Sequence, residues 1–223
     1  MRTPIAAALA LALATMTTVT AGSAQQKPTH ADADRLVQGT GQLPSGWKAR
    51  LDKPDAKLDT LKVLAEQNAL EFQTGPAGIY YKPNMKAAND YEVSASFSQL
   101  EPAALPEEYG LIIAGGDLDK DTQRYTCFLV RQDARFSIQK RAGTATKVAV
   151  AWRPVPAMKE PKGVKSTNTL IVRAHGNMVR FFIGDKEVAK LTRAQVGGDG
   201  IVGLRINHNL HVQVSKFEVK KLP

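Results

Sequence analysis

The sequence LIVRAHGNMVRFFI, at positions 170–183, decides the fold class of this chain. Leu170, Val172 and Ala174 alternate with more polar residues, and the alternation resumes at Met178 after Gly176-Asn177. Side chains of a strand point to opposite faces in turn, and a two-residue glycine-containing loop is typical of a tight hairpin. The stretch therefore predicts strand, turn and strand.

The same pattern extends outward through positions 168–222. A turn is predicted at 184–187, a strand over 188–191, a glycine-rich break at 196–200, and two further strands over 200–206 and 210–219. Short strands joined by glycine turns, with no helical period between them, indicate an antiparallel sandwich or barrel. We predict an all-β, two-sheet jelly-roll sandwich.

The last predicted strand contains a change of phase. Leu210, Val212 and Val214 occupy even positions, whereas Phe217 and Val219 occupy odd ones. A β-bulge at 215–216 would insert one residue and let both halves of the strand face the core. The alternative is that Phe217 faces a ligand surface.

The N-terminus reads as an export signal. An apolar run of about 15 residues follows Arg2, and small residues precede position 25, which predicts signal-peptide cleavage after Ala24. A membrane anchor is the competing interpretation, but a span needs about 20 residues. We predict a signal peptide (1–24), a flexible lead-in (25–42) with one helical turn near 34–37, and one sandwich domain (43–223). The expected location is periplasmic or secreted, with no transmembrane segment in the mature chain.

Between these ends the predicted elements are mostly strands. Residues 62–72 indicate a short hairpin, although the leucine spacing over 58–70 also fits a helix. Further strands are predicted near 79–81, 91–97, 109–114, 124–131, 136–138 and 148–152, followed by a long proline-containing loop over 153–165. The run from Tyr125 to Val130 is apolar at every position except Thr126, which suits a central strand covered on both faces.

Charge and cysteine content limit the possible functions. The chain has 30 basic and 21 acidic residues, and removal of Arg2 leaves a mature net charge of +8. Positions 131–165 hold nine basic residues and only two acidic ones, which indicates either a solvated face or attraction to an anionic envelope polymer. Export and the lack of a nucleic-acid-binding module argue against nucleic acid. Cys127, the single cysteine, is predicted to be a buried small hydrophobe.

Two kinds of side chain are candidates for metal binding or catalysis. Asp117, Asp119 and Asp121 alternate as in a calcium loop, and Ca2+ prefers several carboxylate oxygens, so these three residues are a candidate Ca2+ site. The glycine and glutamate of an EF-hand are missing, and a solvated acidic turn is the alternative. Glu107 and Glu108 are predicted to be loop surface, and the three histidines at 175, 208 and 211 to be surface or turn residues rather than metal ligands.

Aromatic rings bind sugars because they stack on the apolar face of a pyranose. Trp152 stands at the start of the long proline loop beside Arg153, and Arg124 and Tyr125 follow the acidic loop. These four residues are the candidate ligand-binding residues. Trp47, near the domain start, is predicted to close the core.

The order of the pieces resembles the concanavalin A-like (LamG-type) jelly roll, and within it the 3-keto-disaccharide hydrolase-like domains of exported bacterial proteins. The matching segments are 45–47, 109–113, 168–177, 182–188 and 200–204, and they span most of the region from Trp47 to Val219. Gly184-Asp185 departs from the Asn-Gly usual at that turn. The resemblance implies cleavage of 3-keto-glycosides, but it places no catalytic residue.

Two functional hypotheses follow. The first is an exported sandwich that binds or processes carbohydrate, with a glycan or oligosaccharide as its partner and a glycoside-cleaving hydrolase as its enzymatic form. The second is a non-catalytic envelope or protein-interaction module, supported by the basic segment and by the absence of the paired-carboxylate strand motif of many jelly-roll glycanases.

Overall fold

The computed structural model describes residues 33–155, 158 and 166–223. These residues form strands joined by short turns, with one 3-10 turn at Leu58–Thr60 and one short helix, α1, at Arg193–Val196. The strands are β1 Lys48–Leu51, β2 Leu61–Glu66, β3 Ala69–Thr74, β4 Gly78–Ala87, β5 Tyr91–Gln99, β6 Glu108–Gly116, β7 Arg124–Arg131, β8 Arg135–Ala142, β9 Ala145–Pro154, β10 Ser166–His175, β11 Met178–Ile183, β12 Lys186–Thr192, β13 Gly200–Ile206 and β14 His211–Lys221. The predicted all-β class is confirmed.

The strands form two seven-stranded sheets. Sheet A has the order β1-β4-β13-β6-β7-β8-β9, and sheet B has the order β12-β11-β10-β5-β14-β3-β2. Neighbouring strands are antiparallel in both sheets. Strand β13 lies between β4 and β6, so a strand near the C-terminus joins strands from the first half of the chain.

The core lies between the sheets and follows the period-two pattern. In β5, Tyr91, Val93, Ala95 and Phe97 are buried, and they pack against the apolar residues of β6, β7, β10 and β13. The hairpin of β10 and β11 turns at Gly176-Asn177 as predicted, with His175 opposite Met178. Gly176 has a φ of +53°, a value that glycine adopts without steric cost.

Two helical interpretations of the N-terminal region are wrong. Residues 61–74 form the β2–β3 hairpin. The only helical residues between 58 and 70 are the three of the 3-10 turn at Leu58–Thr60. Residues 34–42 contain no helix or strand, so the predicted helical turn near 34–37 does not form. Tertiary hydrogen bonds hold this segment instead: the backbone N–H of Arg35 donates to Asn209 Oδ1 at 2.6 Å.

The phase change in the last strand is a β-bulge, as predicted. The pairing of β14 with β5 shifts between Ser215 and Glu218, and Lys216 has a φ of +51°. Phe217 then packs against Trp47, with ring centroids 6.0 Å apart. Both rings contact the main core, so Phe217 belongs to the packing of the sandwich and does not form a ligand platform.

Some predicted segments lie outside the described residues. They are the signal peptide at 1–24, the first part of the lead-in, and most of the proline loop at 153–165. None of the helices found in residues 33–155, 158 and 166–223 has the length and apolar character needed to cross a membrane.

Candidate functional site

The outer face of sheet A carries a second apolar cluster, separate from the main core. Period-two alternation sends Phe128 and Val130 of β7 inward, while Tyr125, Cys127 and Leu129 point to the outer face. They pack there with residues of β4, β6 and the loop after β6, namely Ile79, Tyr81, Ile112 and Leu118. Strand β7 is therefore buried on both faces, as its continuous apolar run predicts.

Polar side chains surround a cleft on this face, and we call it the sheet A cleft. Its volume is about 70 Å3. It is lined by Asp52, Glu108, Tyr125, Cys127, Leu129, Gln139, Arg141, Thr146 and Arg205. Two arginines and two carboxyl groups lie against apolar residues here, where charged groups lose hydration, and such a cluster in a cleft is a candidate functional site.

An ion pair between Asp52 and Arg205 fixes one wall of the cleft. Arg205 Nη1 and Nη2 each donate to one carboxylate oxygen of Asp52 at 2.6 Å, and Nη2 also donates to Asn207 Oδ1 at 3.2 Å. The side chain of Arg205 is 11% exposed and that of Asp52 is 47% exposed. Such a two-point pair holds both planar groups in one orientation.

The two carboxyl groups of the cleft are shifted in opposite directions. Burial raises the pKa of Glu108, an effect that Arg205 opposes and Glu107 reinforces. Burial would also raise the pKa of Asp52, but the hydrogen bonds and charge of Arg205 outweigh it and leave that pKa below its usual value. Glu108 is thus the carboxyl group that holds a proton more readily, and Asp52 the one that stays ionised.

The aromatic hydroxyl and the thiol of the cleft are both poor nucleophiles at neutral pH. Burial raises the pKa of Tyr125 to about 12, and burial likewise raises the pKa of Cys127 to about 12. A thiol is reactive as the thiolate, so Cys127 is an inert buried side chain, as predicted. Tyr125 keeps its proton and can donate it in a hydrogen bond.

Arg141 differs from the other arginine of the cleft. Its Nε donates to the carbonyl of Gly143 at 2.7 Å, and its Nη1 donates to Thr146 Oγ1 at 3.1 Å. Neither partner is charged, and among the described residues no carboxylate forms an ion pair with Arg141. Its guanidinium is therefore held in place by neutral partners, and its charge acts on Asp52 only at longer range, where it helps to lower the pKa of that carboxyl group.

The structure brings two of the four predicted ligand-binding residues onto this face. Tyr125 lines the cleft, and Trp152 packs against the same outer cluster. The guanidinium of Arg131 lies 4.3 Å from the ring centroid of Trp152, which orients the partly exposed indole. Arg153 is exposed at the end of β9, and Arg124 is exposed and pairs with Asp117 at 3.0 Å, so neither lines the cleft.

Two carboxylates of the acidic loop at 117–121 form ion pairs with basic side chains of the protein. Asp117 contacts Lys120 and Arg124, and Asp121 contacts Arg50 at 2.9 Å. Within residues 33–155, 158 and 166–223, no three histidine, cysteine or acidic side chains are grouped as metal ligands. The Ca2+ site at Asp117, Asp119 and Asp121 stays a prediction, to be checked by melting curves with chelator and with added Ca2+.

The interpretation of Glu107 and Glu108 as loop surface is wrong. Glu107 is 7% exposed; it accepts a hydrogen bond from the amide of Asn207 and lies 3.1 Å from His208 Nε2. His208 Nδ1 is also 3.3 Å from Asp34. Glu107 is buried because it enters this polar cluster, whereas Glu108 is half-buried at the start of β6 and lines the cleft.

Sequence reasoning missed Arg205, Asp52, Gln139 and Arg141, and it assigned Glu108 to the loop surface. Gln139 and Arg141 are two positions apart on β8 and share a face, but no local spacing relates them to the other residues of the cleft. Asp52 and Arg205 are 153 positions apart, and only the insertion of β13 beside β4 brings them together. The one local signal was Arg205 between Leu204 and Ile206, which places an arginine on the face opposite the core.

Comparisons with known proteins support the fold. The chain is similar to the carbohydrate-binding module CBM66 of Bacillus subtilis (TM-score 0.59, 12% identity, 79% of this chain and 96% of that chain). It is also similar to a Bacillus subtilis protein of unknown function with a galectin-like fold (TM-score 0.56, 12% identity, 78% and 89%). A third match is the carbohydrate recognition domain of Emp47p (TM-score 0.51, 9% identity, 82% and 91%).

No protein-family model and no curated protein sequence matches the chain. At these identities the solved structures establish architecture alone. The chain has the galectin-like, concanavalin A-like β-sandwich fold. Membership of the 3-keto-disaccharide hydrolase family is not shown.

Proposed function

We propose that this protein binds a carbohydrate on the outer face of sheet A, at the cleft and at Trp152. The observation that carries the proposal is the arrangement of this face, where charged hydrogen-bonding groups line a cleft and a partly exposed tryptophan packs against the same apolar cluster. Sugar sites combine such elements, because a ring contacts the apolar face of the sugar while fixed polar groups select its hydroxyl groups. The fold shared with carbohydrate-binding domains supports the same conclusion.

Preorganisation favours binding at this position. The Asp52–Arg205 pair and the bonds of Arg141 to Gly143 and Thr146 hold the polar groups before a ligand arrives. Rigid groups lose little conformational entropy on binding. Gln139, on the neighbouring strand, adds an amide that can both donate and accept.

The setting that we propose is the cell exterior. A predicted signal peptide directs the chain to the periplasm or the medium, where glycans and anionic envelope polymers are the abundant ligands. A mature net charge of +8 would draw such polymers to the surface. A non-catalytic envelope-binding role is compatible with this setting.

Binding is tested with a glycan array followed by calorimetry on the mature protein. Trp152→Ala should weaken binding of the best ligand about 5- to 100-fold, because the loss of a stacked ring removes about 1–3 kcal/mol. Phe182→Ala is the matched control, since Phe182 is a partly exposed aromatic on the outer face of sheet B. Equal losses in the two variants, or no glycan bound at all, would contradict the proposal.

A second candidate function is cleavage of a glycoside. The observation that favours it is the pair of carboxyl groups in one cleft, with the pKa of Glu108 raised and that of Asp52 lowered. Glycosidases use such a split, since one group must deliver a proton while the other stays ionised. The finer form is cleavage of 3-keto-glycosides, which the family resemblance implies.

The enzymatic candidate is tested by incubation with glycosides and 3-keto-glycosides and by measuring new reducing ends. Glu108→Gln should abolish turnover while leaving ligand binding in place, because glutamine cannot deliver a proton. Turnover that survives in Glu108→Gln would remove Glu108 from the mechanism. If the unaltered protein binds a glycoside without cleaving it, the enzymatic candidate is rejected and the binding function remains.

A further inference from the structure

We propose that the sheet A cleft receives the carboxylate of a uronic acid residue, so that the ligand is an acidic glycan. This inference rests on the proposed carbohydrate-binding function. It goes further by naming the sugar substituent and the side chain, Arg141, that holds it.

The size of the cleft excludes a whole sugar ring. A volume of about 70 Å3 has room for a few water molecules, given about 10–15 Å3 for each. One substituent of a sugar can enter, while the ring stays outside near Tyr125. A polar cleft of this size therefore selects a substituent rather than a monosaccharide.

The charges favour an anionic substituent. Arg205 is neutralised by Asp52, and outside the cleft Arg50 and Arg124 are paired with Asp121 and Asp117. Arg141 lines the cleft with its charge unpaired among the described residues. Of its five N–H groups, two are bonded to Gly143 and Thr146, which leaves N–H donors for a ligand. A guanidinium matches a planar carboxylate better than a hydroxyl group.

The test compares uronic-acid oligomers with their carboxyl-reduced, neutral counterparts. Trimers of galacturonate, glucuronate and mannuronate are titrated into the full mature protein by calorimetry at 150 mM salt, where weak long-range attraction is screened. At least one acidic trimer should bind at least tenfold more tightly than its reduced form. Arg141→Gln should weaken that binding about 10- to 100-fold, as expected for a charge-assisted hydrogen bond.

Arg124→Gln is the matched control, because Arg124 lies on β7 outside the cleft and carries the same charge. It should weaken binding less than threefold. Equal losses in the two variants would mean that net charge alone attracts the ligand, and this would overturn the inference. Circular dichroism confirms that both variants keep the fold.

Preference for sulfated over uronic trimers would also overturn the carboxylate assignment.

The outcomes separate the two proposals. If neutral glycans bind through Trp152 and Arg141→Gln has no effect, the acidic-ligand inference falls and the binding function stands. If no glycan binds, both fall.

Discussion

At the scale of single residues, the Asp52–Arg205 pair makes the sharpest prediction about stability. Asp52→Asn leaves a guanidinium that is 11% exposed without its counter-charge. We expect the free energy of unfolding to fall by about 2 kcal/mol, less than for a fully buried pair because Asp52 is half exposed and water can take its place. Urea denaturation at pH 7 measures the change.

Asp121→Asn is the matched control for Asp52→Asn. It also removes a carboxylate from an arginine, Arg50, but the side chain of Asp121 is fully exposed. The loss should be small, since exposed pairs contribute little. Because the folded-state pKa of Asp52 is lowered, its contribution is present above the unfolded value of 3.8 and is lost as pH falls through the folded pKa. Asp52→Asn should therefore be less sensitive to acid below pH 4, and equal acid sensitivity would contradict the assignment.

At the scale of elements, local pattern was enough for most strands. The hairpin at Gly176-Asn177 and the buried run of β7 were predicted because turn chemistry and period-two alternation are local signals. Helix α1 was not predicted. It has only four residues and depends on a capping box in which the hydroxyl of Thr192 accepts from the N–H of Gln195, a signal too short to distinguish from a turn.

The bulge in β14 gives a prediction at the same scale. Lys216 has a φ of +51°, a left-handed conformation that disfavours every residue with a Cβ atom and disfavours a β-branched residue more than lysine. Lys216→Val should lower the free energy of unfolding by about 1 kcal/mol, the extra cost of branching, although valine favours regular strands. Lys220→Val, at an exposed position of the same strand outside the bulge, should be nearly neutral. If both substitutions proved neutral, the left-handed conformation at Lys216 would be wrong.

At the scale of the whole molecule, the feature that could not be predicted from the sequence is which distant strands pair with each other. Period-two patterns predict which face of a strand is buried, but they do not give the order of strands in a sheet. The cleft exists because β13 enters sheet A between β4 and β6, bringing Arg205 to Asp52 and Glu108. Trp152 and Tyr125 could be named as candidates from the sequence because an aromatic residue is itself a signal for sugar binding, whereas the role of a single arginine depends on residues that are distant in sequence.

The last prediction concerns Arg35, in the segment before β1, because its side chain bonds to residues from both the first and the last third of the chain. Arg35 donates from Nε to the carbonyl of Thr74 at 3.3 Å and from Nη2 to the carbonyl of Leu210 at 3.2 Å. Its Nη1 also lies 3.3 Å from Glu101. These bonds link the end of β3 to the turn before β14, so a residue assigned to a flexible lead-in acts as a clamp.

Arg35→Ala should lower the free energy of unfolding by about 2 kcal/mol, because two backbone carbonyl groups lose a charged donor and Glu101 loses its ion pair. The neighbouring Leu36 is the control: its side chain is 101% exposed, so Leu36→Ala should change stability by less than about 0.5 kcal/mol. Urea denaturation of the mature chain gives both values. Hydrogen exchange should show faster exchange of the Thr74 and Leu210 amides in Arg35→Ala, since the two residues hydrogen-bond each other beside the clamp. Unchanged stability and unchanged exchange in Arg35→Ala would mean that residues 34–42 do not stabilise the domain, and this would contradict the prediction.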